Sequence, residues 1–249
     1  MKIKFIVFIA TFISFVSFGF SLDLSFAGHF DTYSGSNSGG FSFDATETII
    51  PKLALNAKLD YFSPDSYEAQ CLVLGNFKLF SVGAGIAYSM DNTAKNIIVP
   101  GLGFTATVKL PLNLGLNTAA IISLAPANLY QAYSFRVKGS ILFDTPNAHS
   151  SINYSLKQSA EKEGLLHSTL FRVDAFEKNI PFTIMLGFGA DFLTHTENPV
   201  QIEGSIIGGF SIITKKFGTY FVEGKVSPIT YRDIDIPFEI KAGASFLLD

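Results

Sequence analysis

The sequence has no tryptophan and a single cysteine, Cys71, and only 16% of its 249 residues are charged. A lone cysteine excludes an intramolecular disulfide and any metal motif built on paired cysteines. We therefore interpret Cys71 as a small apolar residue on a strand. Typical soluble domains carry about 25% charged residues, so this chain is poor in charge for a soluble protein.

Long hydrophobic runs are also absent after residue 21: none approaches the ~18 residues that a membrane-spanning helix needs. The mean hydropathy is nevertheless +0.33, and 48% of the residues are apolar. High hydropathy without such a run favours lipid-facing strands, in which alternation dilutes the apolar residues. The net charge is only −3 and no basic stripe is present, so nucleic acid is not an expected partner.

The N-terminus has the pattern of a secretory signal peptide. Lys2 and Lys4 precede the apolar stretch "FIVFIATFISFVSFGF", and Gly19 and Ser21 are small residues spaced for cleavage after residue 21. An uncleaved membrane anchor is the alternative. We predict a signal peptide over 1–21 and one domain over 22–249.

Alternation with period two dominates the rest of the chain, most clearly in "GLGFTATVKLPLNLGLN". Leu102, Phe104 and Ala106 occupy even-numbered positions, and Gly103 and Thr105 occupy odd-numbered ones, so the two sets differ in parity. Period two predicts β-strands with one apolar and one polar face. The apolar face then contacts either a protein core or lipid.

Turn residues divide the mature chain into fourteen predicted strands. Twelve is the alternative count, because 67–74 and 150–157 are short. The predicted ranges are 22–33, 40–49, 52–62, 67–74, 77–90, 97–110, 112–125, 130–144, 150–157, 165–177, 181–194, 200–214, 217–231 and 235–247.

The predicted connections alternate between polar, somewhat longer segments of at most about seven residues and tight turns, with "TPNAH" as a long exception among the turns. Long loops at one end and short turns at the other are typical of outer-membrane barrels. Seven of the nine tyrosines fall at the long-loop end, where an aromatic belt belongs. They are Tyr33, Tyr61, Tyr67, Tyr88, Tyr130, Tyr133 and Tyr231.

Most strand charges share the parity opposite to the apolar residues. A sheet with one apolar and one charged face closes most naturally into a tube, because closure removes the edges and lipid covers the outside. The predicted fold is therefore an all-β, transmembrane, antiparallel up-and-down β-barrel. Ten acidic and eight basic residues are predicted to line its pore: Asp23, Asp31, Asp44, Lys58, Asp60, Glu68, Lys109, Arg136, Lys138, Lys157, Arg172, Asp174, Asp191, Glu203, Glu223, Lys225, Glu239 and Lys241.

Over residues 22–249 the chain resembles the porin-like class of bacterial outer-membrane β-barrels, in architecture and not through any short motif. The resemblance implies a place in the outer membrane with both termini on the periplasmic side. It also implies outer-membrane lipid and the barrel-assembly machinery as partners. Such barrels usually end in an aromatic residue, whereas this sequence ends "SFLLD", with Phe246 three residues earlier.

We expect a passive channel for small hydrophilic solutes, without a cofactor, a metal or catalysis. Its width depends on strand number, since eight strands fill their interior and sixteen leave a channel. The inward glycines favour an open lumen. One alternative is a barrel hydrolase using His29 and Asp31, which are two residues apart and hence on one face near the rim. The other is a closed structural or adhesion barrel.

Overall fold

A computed structural model describes residues 21–32, 38–62, 66–90, 98–123, 135–159, 164–195, 200–214, 218–230 and 236–248. All secondary structure in these ranges is extended. The strands are β1 (Ser21–Asp31), β2 (Ser38–Ile50), β3 (Leu53–Phe62), β4 (Ser66–Asn76), β5 (Phe80–Met90), β6 (Ile98–Leu110), β7 (Leu114–Ser123), β8 (Phe135–Thr145), β9 (Ala148–Ser159), β10 (Gly164–Phe176), β11 (Phe182–His195), β12 (Gln201–Thr214), β13 (Gly218–Ile229) and β14 (Phe238–Leu248).

The strands form one closed antiparallel barrel, in which each strand pairs with its sequence neighbours and β1 pairs with β14. This confirms the predicted fold and the count of fourteen. The two strands that looked short in sequence, β4 and β9, have 11 and 12 residues. Among the described residues, the start of β5 differs by three positions, predicted at residue 77 and found at Phe80, whereas the predicted start of β8 at residue 130 lies outside them.

The connections differ between the two ends of the barrel. One end has turns of two to five residues, and at the other end three to eleven residues separate consecutive strands. The predicted exception at "TPNAH" is wrong: Thr145 pairs with Ala148, so only Pro146 and Asn147 form that turn. Most residues of the connections at the other end lie outside the described ranges, so the predicted limit of about seven residues stays a prediction.

The turn between β6 and β7 shows how the short connections reverse the chain. Leu112 and Asn113 both have positive φ, 62° and 59°, and Leu114 N donates to Pro111 O at 3.4 Å. Two central residues with φ > 0 define a type I′ turn, whose twist matches that of the flanking strands. Asn tolerates this conformation far better than Leu does, so the backbone of Leu112 is somewhat strained in this tight hairpin.

The two faces of the sheet differ in composition as the alternation predicts. Among the described strand residues, the exposed large apolar side chains lie on the outer face, apart from Ile213 and Leu247 near strand ends. Phe26, half exposed at 51%, stacks on Phe41 across this face with ring centroids 6.3 Å apart. Of the charged residues in the described strands, the register places Glu47 on the outer face, near the short-turn end of β2.

Three of the seven tyrosines predicted for the aromatic belt lie in the described strands. Tyr61, Tyr67 and Tyr88 lie at the long-connection ends of β3, β4 and β5. The remaining four of the predicted belt lie outside the described residues: Tyr33, Tyr130, Tyr133 and Tyr231. The predicted signal peptide, apart from Ser21, also lies outside them. Among the described residues there is no helix with the length and hydropathy that crossing a bilayer takes.

The barrel wall is sharply bent at β5. β4 and β6, although separated by β5, come within 8 Å of each other between Cα atoms. The bend depends on glycine, because a Cβ on Gly85 would stand 2.0 Å from the carbonyl oxygen of Cys71. Leu72 from β4 reaches across to Gly103 of β6, where a Cβ would be 2.9 Å from Leu72 Cδ2. We call this bend the β5 corner.

Candidate functional site: the barrel interior

The strand register places all eighteen predicted pore-lining residues on one face of the closed sheet. Cross-strand partners share a face in an antiparallel pair. Glu239, for example, is paired with Asp31 on one side and with Lys225 on the other. The alternation seen within single strands therefore stays in phase around the whole barrel.

Two ion pairs identify this face as the interior. Arg136 on β8 pairs with Glu68 on β4, four strands away. Arg172 on β10 donates from Nη1 to Glu223 Oε2 on β13, three strands away, at 2.7 Å. Side chains on a convex outer surface diverge, so contacts between such distant strands form only through the enclosed space.

Arg172 is the centre of one polar cluster. Its Nε donates to Asp174 Oδ1 at 2.7 Å, and its guanidinium also contacts the sulfur of Met185. Gly187 is the neighbour of Arg172 on β11 and presents no side chain, so the arginine can extend across the wall. Two carboxylates hold the guanidinium in a charge-assisted network, the stronger kind of hydrogen bond.

A second polar cluster lies at the long-connection end of β12 and β13. Glu203 is 1% exposed and Ser227 is fully buried. Ser227 Oγ donates to Glu203 Oε1 at 3.1 Å. The strand pairing is irregular between Gly204 and Ile206, and Pro228, which has no N–H, follows Ser227 there. A buried carboxylate needs such donors, and the irregularity brings the Ser227 hydroxyl to it.

A third cluster lies on β2 and β3. Asn56 Nδ2 donates to Asp44 Oδ1 at 2.8 Å and to Thr46 Oγ1 at 2.9 Å. On the same side of the barrel, Lys58 Nζ lies 3.1 Å from Asp60 Oδ2. The interior charges are thus largely held by neighbours on the wall.

Asp144 and His149 are two further interior residues, which the predicted pore lining does not include. They are paired on β8 and β9, and His149 Nδ1 lies 2.7 Å from Asp144 Oδ1. The signal was present, since Asp144 shares the parity of Arg136 and Lys138, but the residue was taken as a strand end beside a long loop. Cys71 is exposed on the outer face of β4, as expected for a small residue on a strand.

Charge is divided unevenly around the interior. The half formed by β10–β14, β1 and β2, which we call the acidic half, has eight acidic and three basic residues in the interior register: Asp23, Asp31, Asp44, Asp174, Asp191, Glu203, Glu223 and Glu239, with Arg172, Lys225 and Lys241. The basic half, β3–β9, has three acidic and five basic residues: Asp60, Glu68 and Asp144, with Lys58, Lys109, Arg136, Lys138 and Lys157. The described halves thus carry formal charges of −5 (3 − 8) and +2 (5 − 3), counting histidine as neutral.

The His29 and Asp31 pair, considered for hydrolysis, lies on the interior face at the long-connection end of β1. The His29 ring lies over Gly40 of β2, whose Cβ position would be 2.5 Å from Nε2. The His29 ring therefore lies against the barrel wall. Within the described ranges, no three His, Cys, Asp or Glu side chains are placed to share a metal ion.

A round barrel of fourteen strands would be wide enough for an internal passage. Fourteen strands spaced about 4.8 Å apart and tilted by about 40° give a round barrel about 28 Å across at the backbone. One layer of side chains takes about 5 Å from each side, half the spacing of packed sheets. A round barrel would thus leave about 18 Å, and the contacts described above narrow this locally.

Several solved bacterial outer-membrane barrels have a similar fold. The CymD monoaromatic hydrocarbon channel aligns with a TM-score of 0.53 and 8% identity, covering 93% of this chain and 89% of that one. OmpT of Vibrio cholerae gives 0.51 and 9%, covering 92% and 97%. OmpF of Salmonella typhi, in complex with daunomycin, gives 0.50 and 9% with the same coverage.

These likenesses show the fold alone, since all three identities are below 10%. No protein-family model matches the sequence, and no curated protein is significantly similar to it. By its fold, the chain has the porin-like architecture of bacterial outer-membrane barrels.

Proposed function

We propose that this protein is an outer-membrane channel for the passive diffusion of small hydrophilic solutes. The observation that carries the proposal is the closed sheet with apolar side chains outside and eighteen predicted charged residues inside. Lipid can cover the outward-facing apolar side chains. An interior of this width that carries charged side chains favours water over a packed core.

The architecture supports the proposed location. Residues 1–21 would direct secretion, and the barrel-assembly machinery would insert the chain into lipid. Both ends of the barrel chain, Ser21 and Leu248, lie at the short-turn end. Outer-membrane barrels have short periplasmic turns and longer extracellular loops, so we place both ends in the periplasm.

The uneven division of charge favours small cations over anions. The acidic half carries −5, and fields inside a narrow, low-dielectric tube are focused instead of spread. Physiological salt screens exposed charges beyond about 8 Å, so the preference is modest, not absolute. The similarly folded CymD is described as a channel for monoaromatic hydrocarbons, but the charged interior here favours polar solutes.

Uptake by proteoliposomes tests the proposal. Purified protein in liposomes should admit neutral sugars at rates that fall with sugar size, and empty liposomes should not. Folded protein, recognised by a gel mobility that changes on heating, could be correctly inserted and yet admit no sugar. That result would reject the channel and leave a closed structural barrel. Ester or peptide hydrolysis that is lost in His29→Ala would instead support a barrel enzyme, which our proposal excludes.

A further inference from the structure

The contact between Glu68 and Arg136 requires a barrel that is not round. Carbon–carbon bonds of about 1.5 Å limit an extended arginine and glutamate, joined by one hydrogen bond, to about 15 Å between Cα atoms. Strands four places apart in a round fourteen-strand barrel are about 22 Å apart. The β4 and β8 walls are therefore drawn towards each other.

Two further observations fit a close approach of the two walls. Asp60, next to Glu68 in the interior register, is only 9% exposed, which is unusual for a carboxylate in an open lumen. Lys138, two residues after Arg136 on β8, lies on the same interior face. Acidic side chains from β3 and β4 thus face basic side chains from β8.

The β5 corner lets the wall bend in this way. Gly83 and Gly85 both face the interior, and Leu74 Cδ2 stands 2.3 Å from the position of a Cβ on Gly83. Glycine kinks create curvature at defined positions of a sheet. Here they turn the β4 wall back towards β7 and β8, and leucine side chains fill the inside of the bend.

We propose that the Glu68–Arg136 ion pair is a strap across the interior. It separates the space lined by β5–β7 from the rest of the interior and confines passage to the acidic half. The inference rests on the proposed channel function and names the element that sets its width and its charge preference. Glu68, Asp60, Arg136 and Lys138 neutralise one another at the strap. Solutes then pass mainly along the acidic half, which selects small cations.

Single-channel recordings test the strap. Glu68→Gln should raise the conductance by about 1.5-fold, because conductance follows open cross-section and width follows the spacing of the walls. It should also weaken the cation preference, since Arg136 and Lys138 then face the pore unpaired with Glu68. Arg136→Gln should raise the conductance as well. The exchanged pair, Glu68→Arg with Arg136→Glu, should return the conductance to the original value.

The matched control is Tyr154→Phe. It removes another cross-strand polar contact, Tyr154 Oη to His167 Nδ1 at 2.8 Å, but between adjacent strands on the outer face. We expect no change in conductance. Unchanged conductance in both Glu68→Gln and Arg136→Gln would overturn the role of the strap in passage.

A distance measurement separates the strap from the channel proposal. Nitroxide labels at the outer-face positions 69 and 137, in a Cys71→Ser background, report the separation of β4 and β8. The distance should lengthen in Glu68→Gln, whether or not the protein conducts. An unchanged distance overturns the strap. A longer distance in a protein that never conducts keeps the strap and rejects the channel.

Discussion

At the scale of single residues, the parity of a side chain decides whether it meets lipid or the interior. Phe26 and Ser25 are adjacent at the middle of β1, and the register pairs Ser25 with Asp44 inside the barrel. A charged side chain would therefore face lipid at position 26 and the interior at position 25.

We predict that Phe26→Arg impairs insertion and lowers the free energy of unfolding by about 2–4 kcal/mol, the cost of arginine near the bilayer midplane. Ser25→Arg should be tolerated, because Asp44 is its cross-strand neighbour. Urea unfolding in liposomes, together with heat-modifiable migration, measures both. Equal damage at the two positions would indicate a soluble protein with two buried faces.

Charge preference is also decided by residues, through the half of the interior on which they lie. Glu223 and Glu239 both belong to the acidic half. Glu223→Gln combined with Glu239→Gln should shift the reversal potential in a salt gradient towards anions while conductance persists. The control, with aspartate at both positions, keeps the charge and should keep the potential. A potential that does not move in the glutamine variant would contradict the assignment of these side chains to the passage.

At the scale of the strand, glycine has a structural role that alternation does not reveal. Parity alone treats Gly187 as an inward position free to accept a side chain. A Cβ there would lie 2.7 Å from the carbonyl oxygen of Phe171. Inward glycines thus mark places where neighbouring backbones approach closely, and they are weaker evidence for an open lumen than the sequence suggested.

Gly85→Ala tests the β5 corner. The new methyl would overlap the Cys71 carbonyl, so we expect a loss of about 1–3 kcal/mol in unfolding free energy. Gly208→Ala is the matched control, because nothing lies within 4 Å of its Cβ position. Chemical unfolding of both variants in the same detergent measures the difference. Equal stabilities would show that the corner does not depend on glycine.

The strands were predictable because period two is a local signal that every strand repeats. Even β4, with few residues in its predicted range, was located by the need for a turn near Gly75. The strap was not predictable, because Glu68 and Arg136 are 68 residues apart and meet only through the bend of the wall. The division of charge was hidden for a similar reason: ten acidic and eight basic residues look balanced until the strand order assigns each to a half.

At the scale of the whole molecule, the two ends of the barrel differ in their connections, and this difference predicts its orientation. A protease site inserted between Asp31 and Ser38 should be cleaved on intact cells. A site between Thr214 and Gly218, at the short-turn end, should be cleaved only after the outer membrane is opened. Western blotting of the barrel fragment measures both, and cleavage of the second site alone on intact cells would invert the orientation.

Recordings in planar bilayers test most directly whether the closed sheet encloses a continuous aqueous path. Purified, folded protein added to a bilayer should produce stepwise increases in current of uniform size, with a modest preference for cations. The steps should persist with little spontaneous closure. Folded protein that inserts into the bilayer, as shown by protease protection, yet gives no steps would contradict the claim.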